Sequence, residues 1–162
     1  MFSLPLLDNS IDIVYTNHSI EPNGGHEREL LEELYRVTNN YLILLEPTYE
    51  FASDEARARM KHHGYVTDLY ATAKQLGLKV LTYEPYGMST NPLNPTGLMI
   101  IEKNSRAFVE QPFCDPLTRT TLQIKGNAYF SEDSLISYPI VCGVPCLMKE
   151  YAVVTTKMSD FC

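Results

Sequence analysis

The stretch that most limits what this chain can fold into is residues 4–46, LPLLDNSIDIVYTNHSIEPNGGHERELLEELYRVTNNYLILLE. It reads as strand, polar elbow, helix and strand. Residues 11–15, IDIVY, are short, apolar and β-branched, which suits a buried strand. Asn17, His18 and Ser19 follow at its carboxyl end, and Gly24 and Gly25 break the chain. Leu30, Leu31, Leu34 and Val37 then fall on one helical face, with Glu29, Glu32, Glu33 and Arg36 on the remaining surface. Asn39 and Asn40 are expected to stop this helix, and residues 41–45 to form a second buried strand. A strand, a crossover helix and a strand of this kind make a right-handed parallel unit. Ligands of open α/β sheets sit beyond the carboxyl ends of the strands, so the Asn17-His18-Ser19 elbow is where chemistry is expected first.

His18 supports two readings. An imidazole titrates near neutrality and could serve as a general base, with Glu21 as the nearest carboxylate to orient it. It could equally close the strand end by hydrogen bonds to backbone. Gly24-Gly25 before a helix resembles a phosphate cradle but lacks the spacing of a P-loop or a dinucleotide loop. The simpler reading is a sharp turn, with Glu27 and Glu29 complementing the helix dipole. After the second strand, Pro47 turns the chain across the top of the sheet, so Glu46 and Tyr49 are expected at the same crevice as His18. They could position a substrate or belong to an ordered loop.

Further along, Ser53 is an N-cap candidate with Asp54 and Glu55 behind it. The helix that follows carries Arg57, Arg59 and Lys61; Gly64 interrupts it, and a second stripe runs to Gly77. That pattern predicts one bent helix or two. Residues 78–83 and 97–102 predict two more strands, and residues 122–131, with Gly126-Asn127 at the centre, predict a β-hairpin. A net charge of −7 over 162 residues argues against a nucleic-acid surface. No run approaches a membrane-spanning length, and the first ten residues lack the basic start and apolar core of a signal peptide. Four cysteines without dense spacing suggest reduced thiols, hence a cytoplasmic protein.

The ordered series LPLLDNSIDIVYTNHSIEP, a helix ending in LYRV, then NYLILLEP resembles the second half of a class I S-adenosylmethionine-dependent methyltransferase. The resemblance covers roughly residues 1–103 and implies a partial Rossmann-like sheet that ends in two antiparallel-paired strands. It implies S-adenosylmethionine as cofactor, with Phe2 as what is left of the adenine wall; position at the strand ends adds Asn17 and His18 on the cofactor side and makes His18, Glu21 and Tyr49 the candidate catalytic residues. In that family a glycine-rich loop and a ribose-binding acidic residue precede this region, and these 162 residues hold no counterpart of either. Weak cofactor binding, or none, is therefore expected of this chain alone.

Residues 112–150 have a different texture. FCDPLTRTTL and SYPIVCGVPCLM resemble the opening and close of a small zinc-ribbon-like module, the type that serves as an activator subunit of certain methyltransferases. Cys114 matches a first cysteine, Leu117 stands where a second would be, and Cys142 and Cys146 replace other residue types. A structural zinc site wants four ligands, commonly as two close pairs. That arrangement is broken here, so no zinc is expected, with Leu117 filling the space and cysteine packing as a small hydrophobe.

The expected architecture is thus α/β: a partial methyltransferase-like domain over 1–104 and a small β-rich, metal-free module over 112–150 that docks on it. The expected function is membership of the S-adenosylmethionine-dependent methyltransferases with an unknown acceptor; the alternative is a non-catalytic binding or assembly module. No nucleic-acid or membrane partner is expected. A homodimer is, through the strand edge at 11–16 between Ile11 and Thr16, where only Asp12 is charged; a chain supplying the other half of the fold is a further candidate partner.

Overall fold

In the computed structural model, which describes residues 2–88 and 91–157, the first strand and the helix after it form where their patterning places them, but the strand is not the buried one expected: Ile13 and Tyr15 are exposed and only Thr16 is buried. Strand β1 is Ile11–Asn17, helix α1 is Glu27–Val37 and strand β2 is Thr38–Pro47, paired parallel to β1. Asn39 and Asn40 do not stop the helix; they already lie in β2. The helix ends one step earlier, where the Thr38 hydroxyl donates to Leu34 O at 2.7 Å and the chain turns directly into extended backbone. Asn39 is buried and is used in the strand, its Nδ2 donating to Asp12 Oδ1 at 3.0 Å and to Ala107 O at 2.9 Å.

Two helices follow, not one bent helix. Helix α2 is Asp54–His63 and helix α3 is Leu69–Gln75. Ser53 caps α2 by accepting from the Ala56 N–H at 3.2 Å. Gly64 ends it at φ 66°, the left-handed region that glycine enters without a Cβ penalty. Strands β3, Lys79–Pro85, and β4, Thr96–Glu102, complete a four-stranded sheet in the order β1-β2-β4-β3, with β4 antiparallel to both neighbours.

The core lies on one face of this sheet. Leu42, Leu44, Met99 and Ile101 meet Leu30, Leu31 and Leu34 of α1 and Leu69 and Ala73 of α3. Helix α2 stands apart, packing Ala56 and Met60 against Ala52, Tyr49 and Tyr65. A second sheet of five strands contains β5, Gln123–Lys125; β6, Ala128–Ser131; β7, Ile136–Val141; β8, Val144–Pro145; and β9, Val153–Val154. The β5–β6 hairpin is the one expected, with Lys125 opposite Ala128. This sheet is fastened to the N-terminal loop: Leu7 N–H donates to Pro112 O at 2.8 Å and Cys114 N–H to Pro5 O at 3.0 Å.

Arg36 reinforces the same junction. Its guanidinium donates to Leu6 O, Leu4 O, Asp8 Oδ1 and both oxygens of the buried Glu33. Arg119 approaches Glu33 at 3.6 Å from the other side. Burial opposes the Glu33 charge, yet Arg36, the Leu4 amide and Arg119 together hold its carboxyl below the usual value.

Candidate functional site

The carboxyl ends of β1 and β2 meet at a polar cluster built by the elbow. His18 leaves β1 with φ 49°, a left-handed conformation that costs a non-glycine residue energy and needs support from around it. That support is present. Its backbone N–H donates to Leu45 O at 3.0 Å, and its Nδ1 bonds the Glu21 carboxylate. Its Nε2 meets Thr96 Oγ1 at 2.8 Å, and Asn94 Nδ2 donates to Glu21 Oε2 at 3.2 Å. The imidazole therefore ties the end of β1 to the loop after it and to the start of β4.

Glu46 supports the elbow from beneath. It is 2% exposed, and its Oε1 accepts from Ser19 N–H at 3.1 Å and Ile20 N–H at 3.5 Å. Its Oε2 is enclosed without a hydrogen-bond partner. Burial pushes the carboxyl up from its ordinary value, and the nearby Thr16 hydroxyl and the two amides offset part of that rise. A narrow cleft beside it is bordered by Thr48, Thr67, Tyr83 and Met99.

The expected site residues separate into two groups. His18 and Glu21 are in contact, with Asn17 exposed on the strand next to them. Tyr49 belongs elsewhere: it packs beside α2, under the charges of Arg57 and Lys61, each about 5.2 Å from its ring centroid. Phe2 is exposed and lies edge-on to His26 with ring centroids 5.5 Å apart. Thr96 and Asn94 were not legible as partners of His18, because they are 78 and 76 residues away in the chain and their loop carried only turn signals.

In the small sheet the space assigned to Leu117 is filled otherwise. Leu117 is 54% exposed. Asp115, fully buried, takes the centre: it accepts from Tyr138 Oη at 2.8 Å, Ser134 Oγ at 2.6 Å and Leu117 N–H at 2.8 Å. Cys114 is buried, Cys142 exposed and Cys146 between the two. Among the described residues no three His, Cys, Asp or Glu side chains are grouped to hold a metal ion. Also among the described residues, no helix is long and apolar enough to cross a membrane. Compared with family models, with curated proteins and with solved structures, the chain finds no match.

Proposed function

We propose that this chain is a methyltransferase-type α/β unit that forms one wall of an S-adenosylmethionine crevice and does not hold the cofactor by itself. The observation that supports the reading is the sheet order β1-β2-β4-β3 with β4 antiparallel. Strands β1, β2 and β3 then run the same way with one reversed strand inserted, the ending that the sequence resemblance implies. The polar elbow stands at the carboxyl end of β1, where open α/β sheets receive ligands.

The residues present do not enclose such a cofactor. Asn17 is exposed, both ring nitrogens of His18 are engaged, and Phe2 lies against His26. A site with one wall cannot bury most of a ligand's surface, and burial is what gives small-molecule sites their affinity. Calorimetry with S-adenosylmethionine should show no micromolar binding to this chain. At millimolar cofactor, amide NMR shifts should still cluster at Asn17, His18 and Ser19. Shifts scattered over the surface, or none at all, would overturn the proposal. They would favour the second reading, a non-catalytic binding module, which the clamped His18 ring also suits.

A further inference from the structure

We infer that two copies of this chain pair through β1, antiparallel, with the two-fold axis at Val14. The inference does not depend on methyl transfer; it rests on hydrogen-bonding groups at the sheet edge. Among the described residues, strand β1 pairs only with β2. His18 N–H points to β2, since it donates to Leu45 O. Alternate residues of a strand present their backbone groups to the same side. Thr16, Val14 and Asp12 therefore face β2, and Asn17, Tyr15, Ile13 and Ile11 direct their N–H and C=O groups outward.

The other edge of the sheet is guarded at both ends; this one carries its charge and its register irregularity only at its start, at Asp12 and between Ile11 and Ile13. Strand β3 opens with Lys79, closes with Glu84-Pro85 and has a register irregularity between Val80 and Thr82. Charge, proline and bulges are how natural edges resist pairing. On β1, residues 13–17 carry no charge, and Ile13 and Tyr15 are 55% and 72% exposed. Those two side chains share a face with Tyr41, Ile43, Leu98 and Ile100, the face opposite α1 and α3.

A second copy fits this edge better than an arbitrary strand because the edge is self-complementary. Two-fold symmetry makes the pairing antiparallel and closes it, so no open chain of subunits grows. With the axis at Val14, Ile13 lies opposite the partner's Tyr15 and Tyr15 opposite the partner's Ile13. Aromatic and β-branched residues are favourable cross-strand pairs. Val14 meets the partner's Val14. Asp12 falls opposite the partner's Thr16, so in a chain of net charge −7 no carboxylate meets its copy at this strand. The pairing joins two four-stranded sheets into one.

Sedimentation at low micromolar concentration should give a dimer. Tyr15→Pro should give a monomer with unchanged circular dichroism, because it removes an outward N–H that the fold does not use. Val14→Cys should form an intermolecular disulfide on mild oxidation, with the unsubstituted chain as control for the native cysteines. This second variant keeps the test open if Tyr15→Pro does not fold. A monomeric chain overturns the inference, whether the Ile13 and Tyr15 amides exchange quickly or are protected by another segment. So does a dimer that Tyr15→Pro leaves intact, or a Val14→Cys variant no more cross-linked than the control.

Discussion

The carboxylate of Asp115 and the hydroxyl of Tyr138, 23 residues apart, meet at 2.8 Å inside the small sheet, and both side chains are fully buried. Ser134 and the Leu117 amide also donate to the carboxylate. A short-stranded sheet has a thin apolar core, here Leu122, Tyr129, Tyr138 and Leu147. The buried carboxylate joins the loop before β5 to strand β7 and to the turn that precedes it.

Removing that carboxylate should therefore unfold the small sheet before the larger one. Asp115→Ala leaves a hydroxyl pair and an amide without their acceptor, each costing about 1–3 kcal/mol when buried. Tyr138→Phe should cost less, about 1–2 kcal/mol, because only one bond is lost. Urea unfolding followed by tyrosine fluorescence and by far-ultraviolet dichroism would separate the two sheets. If Asp115→Ala unfolds in one transition at the native midpoint, the carboxylate is not what holds the small sheet.

Acid should weaken the same element. The hydrogen bonds around Asp115 outweigh its burial and hold its carboxyl at about 2, below the ordinary 3.8. A folded-state value below the unfolded one means that the stabilisation is complete above the unfolded value. It is lost as pH falls through that value towards the folded one, a contribution of about 2 kcal/mol. Glu33, held low by Arg36, the Leu4 amide and Arg119, acts in the same direction below its ordinary 4.5. Stability measured from pH 6 to 2 should fall most steeply between about 4 and 2. The fall should be visibly shallower in Asp115→Asn; equal slopes would count against this account.

Glu46 should behave in the opposite sense. Its carboxyl is raised from 4.5, chiefly by burial, so the folded state disfavours the charge that the unfolded chain carries at neutral pH. The penalty is absent below 4.5 and grows as pH rises towards the folded value. Glu46→Gln retains an acceptor for the Ser19 and Ile20 amides and removes the charge. It should raise the melting temperature by a few degrees at pH 8 and by less at pH 4. A lower melting temperature at pH 8 would show that the charge itself is stabilising.

The two adjacent glycines should respond differently to substitution. A Cβ on Gly24 would stand 2.4 Å from Tyr65 O and 2.8 Å from Gly64 O, both backbone atoms. Gly24→Ala must push two loops apart, at about 1–3 kcal/mol or more. Gly25 has φ 87° and open space around it. Gly25→Asn should cost under about 1 kcal/mol, because asparagine tolerates left-handed backbone. Chemical denaturation of the two variants checks the order.

The sequence alone determined the elements whose cause is local. Period-3.6 leucines made α1, Ser53 and Gly64 bounded α2, and an apolar β-branched run made β1, because each depends on residues within a turn or two of itself. The elbow was placed by the same local logic. What only the tertiary structure decided was which distant groups meet. His18 found Thr96 and Asn94 because antiparallel β4 brings its start to the end of β2. Tyr49 came to lie beside Ala56 and Met60 of α2, with Arg57 and Lys61 about 5.2 Å from its ring centroid. Asp115, which no pattern in the sequence singles out, became a buried acceptor in the small sheet because Tyr138 and Ser134 are folded onto it. Patterning sets which face of an element is buried; the identity of a buried polar partner is set by chain crossings that no local pattern encodes.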